Sequence, residues 1–121
     1  IEADCLKCVN SLRCRDDVIF TSFNWESLIA MRKLDADIRE GFLTWEITEE
    51  TLDSLEKNHI RQICPIISKA TPEGMALAAQ RGISVRFWGI NDTDLMRQAI
   101  KLGGDGVSVN FPDKLALALK A

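Results

Sequence analysis

The chain has 121 residues, 46% hydrophobic and 27% charged, with a net charge of −3. That composition describes one ordinary domain or part of one. It offers no basic patch for nucleic acid and no apolar run near the ~18 residues needed to span a bilayer.

Residues 2–14 have helical spacing, with Cys5, Cys8, Val9 and Leu12 expected on the inner face. Cys5-Leu-Lys-Cys8 is formally C-x-x-C, yet nothing strand-like precedes it, as a redox motif would require. A zinc site would need Cys64 or His59, the single histidine, to complete it. Thiols packed as small hydrophobes are the preferred reading over zinc or redox chemistry. Unpaired thiols point to a reducing compartment, and the expected location is cytoplasmic.

Val18 to Phe23 (VIFTSF) reads as a buried strand, and Trp25 to Leu34 as a helix capped by Asn24. Ile38 to Trp45 is the next strand. Thr48 then opens a helix with acids in its first turn and Lys57 near its end, as the helix dipole favours. Ile63 to Ser68 is a third strand, in which Pro65 predicts a bulge or a loosely paired stretch. Thr71-Pro72-Glu73 starts a helix that Gly82 stops in a left-handed cap. Ile83 to Ile90 is a fourth strand. Asn91-Asp92 caps the following helix, Gly103-Gly104 ends it, and a fifth strand near 106–110 leads to Phe111-Pro112-Asp113.

Five strands, each followed by a helix, imply a parallel sheet. No G-x-G-x-x-G turn and no G-x-x-x-x-G-K-[ST] loop is present, so a nucleotide-binding doubly wound fold loses its best signature. The expected fold class is α/β of the (β/α) TIM-barrel type. Eight units typically need about 250 residues, so the five strand–helix units of residues 1–121 make a partial barrel, about half of one. Five tilted strands would leave two open edges, which implies a partner.

Several of these segments carry a family likeness. The run from Thr71-Pro72-Glu73 through Gly82-Ile83 and Phe87-Trp88-Gly89-Ile90-Asn91-Asp92 to Gly104-Asp105-Gly106-Val107 and Phe111-Pro112-Asp113 resembles the C-terminal half of glycerophosphodiester phosphodiesterases. Val18 to Phe23 is similar to the same family's "v-i-x-S-S-F" strand. The likeness covers about residues 17–115, in order and at matching spacing. It implies a (β/α)8 barrel that hydrolyses glycerophosphodiesters to glycerol 3-phosphate and an alcohol with a divalent cation, calcium or magnesium. On that mapping the chain holds strands four to eight, and residues 2–14 form the helix before strand four. The family's H-R, E-x-D, H-D and E-x-K motifs lie earlier and have no counterpart here. The resemblance therefore assigns no catalytic residue and no metal ligand to this segment, and Glu2-Ala3-Asp4, its only Glu-x-Asp, lacks the flanking strand. His59 is expected at the barrel's N-terminal face, where residues serve stability. The family's "W-T-V-N" threonine is Gly89 here, and its terminal "T-d" is Val109-Asn110.

Side chains at the strand C-terminal ends remain candidates for ligand contact: Ser22, Thr44, Trp45, Lys69, Trp88, Asn91 and Asn110. Trp88 resembles the family tryptophan that walls the substrate pocket. Lys69 is placed to meet a phosphate as a point charge, and Asn91 stands at a helix opening suited to an anion. Trp25 and Trp45 are read as packing residues. The partner is expected to be the missing amino-terminal half, with a small phosphodiester as ligand. The alternative is a half-barrel that pairs with a second copy of itself as a homodimer and binds a small phosphorylated ligand without catalysis.

Overall fold

The fold is that of a computed structural model, which describes residues 1–120. Helix α1 (Glu2–Ser11) is followed by β1 (Phe20–Ser22), α2 (Trp25–Leu34), β2 (Glu40–Thr44) and α3 (Glu49–Lys57). Then come β3 (Gln62–Pro65), a 3₁₀ turn (Ile67–Lys69), α4 (Pro72–Gln80), β4 (Ser84–Phe87), α5 (Thr93–Lys101), β5 (Gly106–Val107) and α6 (Pro112–Lys120). All four strand pairings are parallel and run in chain order, β1-β2-β3-β4-β5. A doubly wound sheet reverses its strand order at a switch point. This sheet never does, as expected for a stretch of barrel wall.

Caps set the helix starts where the sequence placed them. Asn24, Thr48, Thr71 and Asp92 each accept a backbone N–H from the first turn of the helix they open. Each such cap contributes about 1 kcal/mol. Gly82 takes the left-handed conformation (φ +66°) behind α4.

The strands are shorter than the apolar runs that announced them. Ile83 and Ile90 are both buried but lie outside β4. Pro65 sits within β3, and its carbonyl accepts the Trp88 N–H at 3.2 Å. The edge of Pro65 that lacks a donor therefore faces β4. Pairing of these two strands lapses after Ile63↔Val85 and resumes at Ile66↔Trp88 in the same register. The loosely paired stretch is present, without a bulge.

The first helix departs from expectation. It ends at Ser11, and Arg13 turns left-handed (φ 54°) behind it. Its buried residue is Leu6, packed with Met31, Ile38, Cys5 and Phe20, whereas Cys8 and Leu12 are exposed. The seam is 2-5-6-9 rather than 5-8-9-12, because Leu6 and Cys5 are the positions that pack on Met31 and Ile38. All four cysteines are free thiols, and the described residues contain no group of three His, Cys, Asp or Glu side chains able to hold a metal.

The core lies between the sheet and the helices. Ile63, Val85 and Phe87 project from the outer face of the sheet onto Leu52, Leu55, Ala78, Met96 and Ala99. Trp25 packs edge-on against Phe42 at 5.2 Å, the packing role expected of it. Beneath α2, the carboxylate of Glu40 is 2% exposed and accepts from Arg32 Nε at 2.9 Å. Arg32 spends its other donors on the carbonyls of Ala36 and Ile38. Desolvation pushes the Glu40 carboxyl up, and the Arg32 charge opposes that rise.

Candidate functional site

Alternation along the strands decides which candidates share a face. Phe42 touches α2, so its strand partner Ser22 also faces the helices. Ser22 lines a cleft with Glu2, Cys5 and Ser27, and its Oγ accepts the Asn24 N–H at 2.9 Å. The structure thus takes Ser22 away from Trp88 and gives it a turn-forming role.

The other face carries an aromatic rim. Trp88 at the end of β4 meets Phe23, beyond β1, edge-on at 5.2 Å and Trp45, beyond β2, at 5.2 Å. Phe23 and Trp45 are themselves 6.4 Å apart. The Trp88 indole N–H donates to the Thr44 carbonyl at 3.0 Å, which fixes the ring's tilt and leaves its faces as the contact surface. Trp45, expected both at a strand end and as a packing residue, packs within this rim and is 58% exposed. Phe23, 54% exposed, was not singled out as a candidate from the sequence. Its signal was available, since it ends the VIFTSF run two residues after inward-facing Thr21.

Polar candidates stand at the same end. Lys69 is exposed at the close of the 3₁₀ turn after β3. Asn91 and Asn110 line a cavity of about 560 Å³ beyond β4 and β5, together with Gly89, Ser108 and Pro112. Asp92, rather than Asn91, caps α5, its carboxylate taking the Leu95 N–H at 2.8 Å. Gly89 makes the turn behind Trp88 at φ +76°. A Cβ there would come within 2.8 Å of Ile66 Cγ1. A threonine in this position would not fit the backbone as it stands, so the departure from the family pattern is built into the local geometry.

Below the rim, Arg86 crosses the inner face. It donates to Ser108 Oγ at 2.6 Å and to Thr21 Oγ1 at 3.4 Å, and it lies 3.7 Å from Cys64 Sγ. Burial pushes the Cys64 thiol up, against the opposing pull of Arg86. His59 is exposed and left-handed (φ 58°) just before β3, at the opposite end of the strands from Trp88.

The donor set does not suit a hard divalent cation, which takes several convergent oxygens. Asp92 is committed to its cap, and Glu46, in the loop between β2 and α3, is exposed with no neighbouring acid in sequence before Glu49.

A sequential parallel sheet with its distinctive side chains at the strand C-terminal ends defines part of a (β/α) barrel, in which that end is the working face. Residues 1–114 match the model of the Glycerophosphoryl diester phosphodiesterase family, and the chain belongs to that family. It is 26% identical over 122 residues to the uncharacterized protein YqiK of Bacillus subtilis, covering 99% of this chain and 50% of that protein. A putative glycerophosphodiester phosphodiesterase from Galdieria sulphuraria superposes with a TM-score of 0.91 at 18% identity, over 99% of this chain and 50% of the other. An Oleispira antarctica phosphodiesterase, solved with the product sn-glycerol-3-phosphate, superposes with a TM-score of 0.78 at 23% identity, over 85% and 42%. The chain spans about half the length of these relatives or less.

Proposed function

We propose that this chain forms the carboxyl half of a glycerophosphodiester phosphodiesterase barrel. In that role it supplies the substrate-facing wall, and the acid–base and cation-binding residues come from the amino half. The observation that carries this reading is the placement of Trp88, the residue matching the family's pocket tryptophan. It stands at the strand C-terminal ends, packed with Phe23 and Trp45 over an open inner face. The trio offers apolar ring faces for a glycerol or alcohol moiety, and Lys69 and the Asn91–Asn110 cavity offer charge and amides for a phosphate. A divalent cation in the joined protein would supply charge neutralisation at the phosphodiester. No residue of this chain holds it.

The reading predicts that the 121-residue chain alone does not hydrolyse glycerophosphocholine. Linking it behind the amino half of the Bacillus subtilis relative should restore release of glycerol 3-phosphate, with loss on Trp88→Ala. Hydrolysis by the pure chain that survives His59→Ala would overturn it.

A further inference from the structure

Below the aromatic rim the inner face of the sheet is largely polar, concave and short of negative charge. Arg86 lies among Thr21, Gly41, Leu43, Gln62, Cys64 and Ser84, placed on this face by the strand register, and donates to Ser108 just beyond β5. Its reach is unusual. β4 and β1 are separated by three strand spacings, about 14 Å in a flat sheet, yet Arg86 Nη2 lies 3.4 Å from Thr21 Oγ1. The concave curvature of a barrel wall shortens that path, and Gly41 leaves room beneath it. A Cβ on Gly41 would lie 2.8 Å from Gln62 Oε1 and 3.3 Å from Cys64 Sγ.

What Arg86 lacks is a counter-ion. Its partners are two hydroxyls and a thiol, and it makes no ion pair among the described residues. Arg39, two residues before Gly41, lines a cleft at the lower end of the face beside Gln62 and Ser84, where Asp37 and Arg61 also stand. Glu40 alternates to the other side, where Arg32 holds it. No inner-facing strand position in β1 to β5 carries a carboxylate.

From this we infer that the inner face is closed by a segment different from this chain, which brings a carboxylate to the level of Arg86. A second copy is the wrong occupant. Two-fold pairing would set the same inner face against itself, with Arg86 opposed to Arg86 across a narrowing lumen and no acid to separate them. Like charges so placed reject a partner strongly. The relatives, twice as long as this chain, have room for such a segment. The inference rests on the half-barrel reading above and adds a selection rule to it: the partner is chosen by charge, and self-pairing is blocked.

Sedimentation equilibrium of the full 121-residue chain tests this. Wild type, Arg86→Glu and an equimolar mixture of the two are compared, after far-UV circular dichroism shows both to be folded. The mixture, which pairs Arg86 with a carboxylate, is expected to associate at least tenfold more tightly than either protein alone. That gain should fall as salt is raised, as for any charge pair open to solvent. Arg86→Gln, which removes the charge but keeps a polar side chain, is expected to self-associate at least tenfold more tightly than wild type. It provides the test if Arg86→Glu does not fold. A wild-type dimer as tight as the mixture, a mixture no tighter than its parts, or an Arg86→Gln protein no tighter than wild type overturns the inference. The readout is mass rather than turnover, so its failure leaves the phosphodiesterase reading to its own assay.

Discussion

Replacing Gly89 by Ala perturbs the turn that seats Trp88, and the structure separates two costs. A side chain at φ +76° bears the left-handed penalty, about 1–2 kcal/mol. Its Cβ would also press to 2.8 Å from Ile66 Cγ1, an atom near the side-chain stem that cannot swing aside. Overpacking of that kind costs about 1–3 kcal/mol. The single variant should therefore lose about 3 kcal/mol. Ile66→Ala removes the obstructing carbon and, from a half-buried site, should lose about 2 kcal/mol. The double variant is the informative one. With the overlap gone and only the backbone strain left, it should lose about 1–2 kcal/mol less than the two singles added. Ile66→Val keeps a γ-carbon branch and should show little of this relief. Urea unfolding of the four proteins, with midpoints compared at constant slope, measures the cycle. Additivity within about 0.5 kcal/mol would refute the steric account. The whole cost of Gly89→Ala would then lie in φ alone.

Three further outcomes are expected from the buried pair and the rim. Arg32→Ala strands Glu40 without a counter-ion and should cost about 3–5 kcal/mol in a urea titration at neutral pH. Glu40→Gln should change the pH dependence instead. Burial raises the Glu40 carboxyl, so the folded chain keeps a proton that the unfolded chain has released. Stability then falls as pH rises from the ordinary carboxylate range through the raised value, and the penalty stands in full above it. The variant should lack that fall, which stability measurements across mildly acidic pH would reveal. Trp88→Phe keeps a ring against Phe23 and Trp45 but leaves the Thr44 carbonyl without its donor, a loss of about 0.5–1.5 kcal/mol by thermal or urea unfolding.

Much of the fold was legible because helix starts and sheet order are written locally. Thr71-Pro72 and Asn91-Asp92 mark their helices through backbone geometry that no tertiary contact needs to override. Strand–helix alternation leaves a parallel sheet as the economical solution. Strand ends were less legible. Apolar character reports burial, not pairing: Ile83 and Ile90 are buried from the turns that flank β4, so the run overstates the ladder by the residues at its ends. The seam of α1 was misread for a related reason. The spacing 5-8-9-12 is the more apolar of two on that helix, and contact with Met31 and Ile38 selects instead the one through Leu6.

The candidate site was legible by position along the strands but not by face. Ser22 and Trp88 both stand at strand ends. A difference of one residue in alternation sends Ser22 to α2 and Trp88 to the lumen. Arg86 is open to the same alternation, but it stands inside the run Ile83 to Ile90, whose apolar character alone marks the strand. In a flat, open sheet water would satisfy its guanidinium. In this curved wall the side chain is drawn across Cys64 toward Thr21 and Ser108 instead. Under the charge rule inferred above, a cation in that position favours closure by something that brings the opposite charge. The residue least like its neighbours in β4 would then be the one that limits what the half-barrel accepts as its other half.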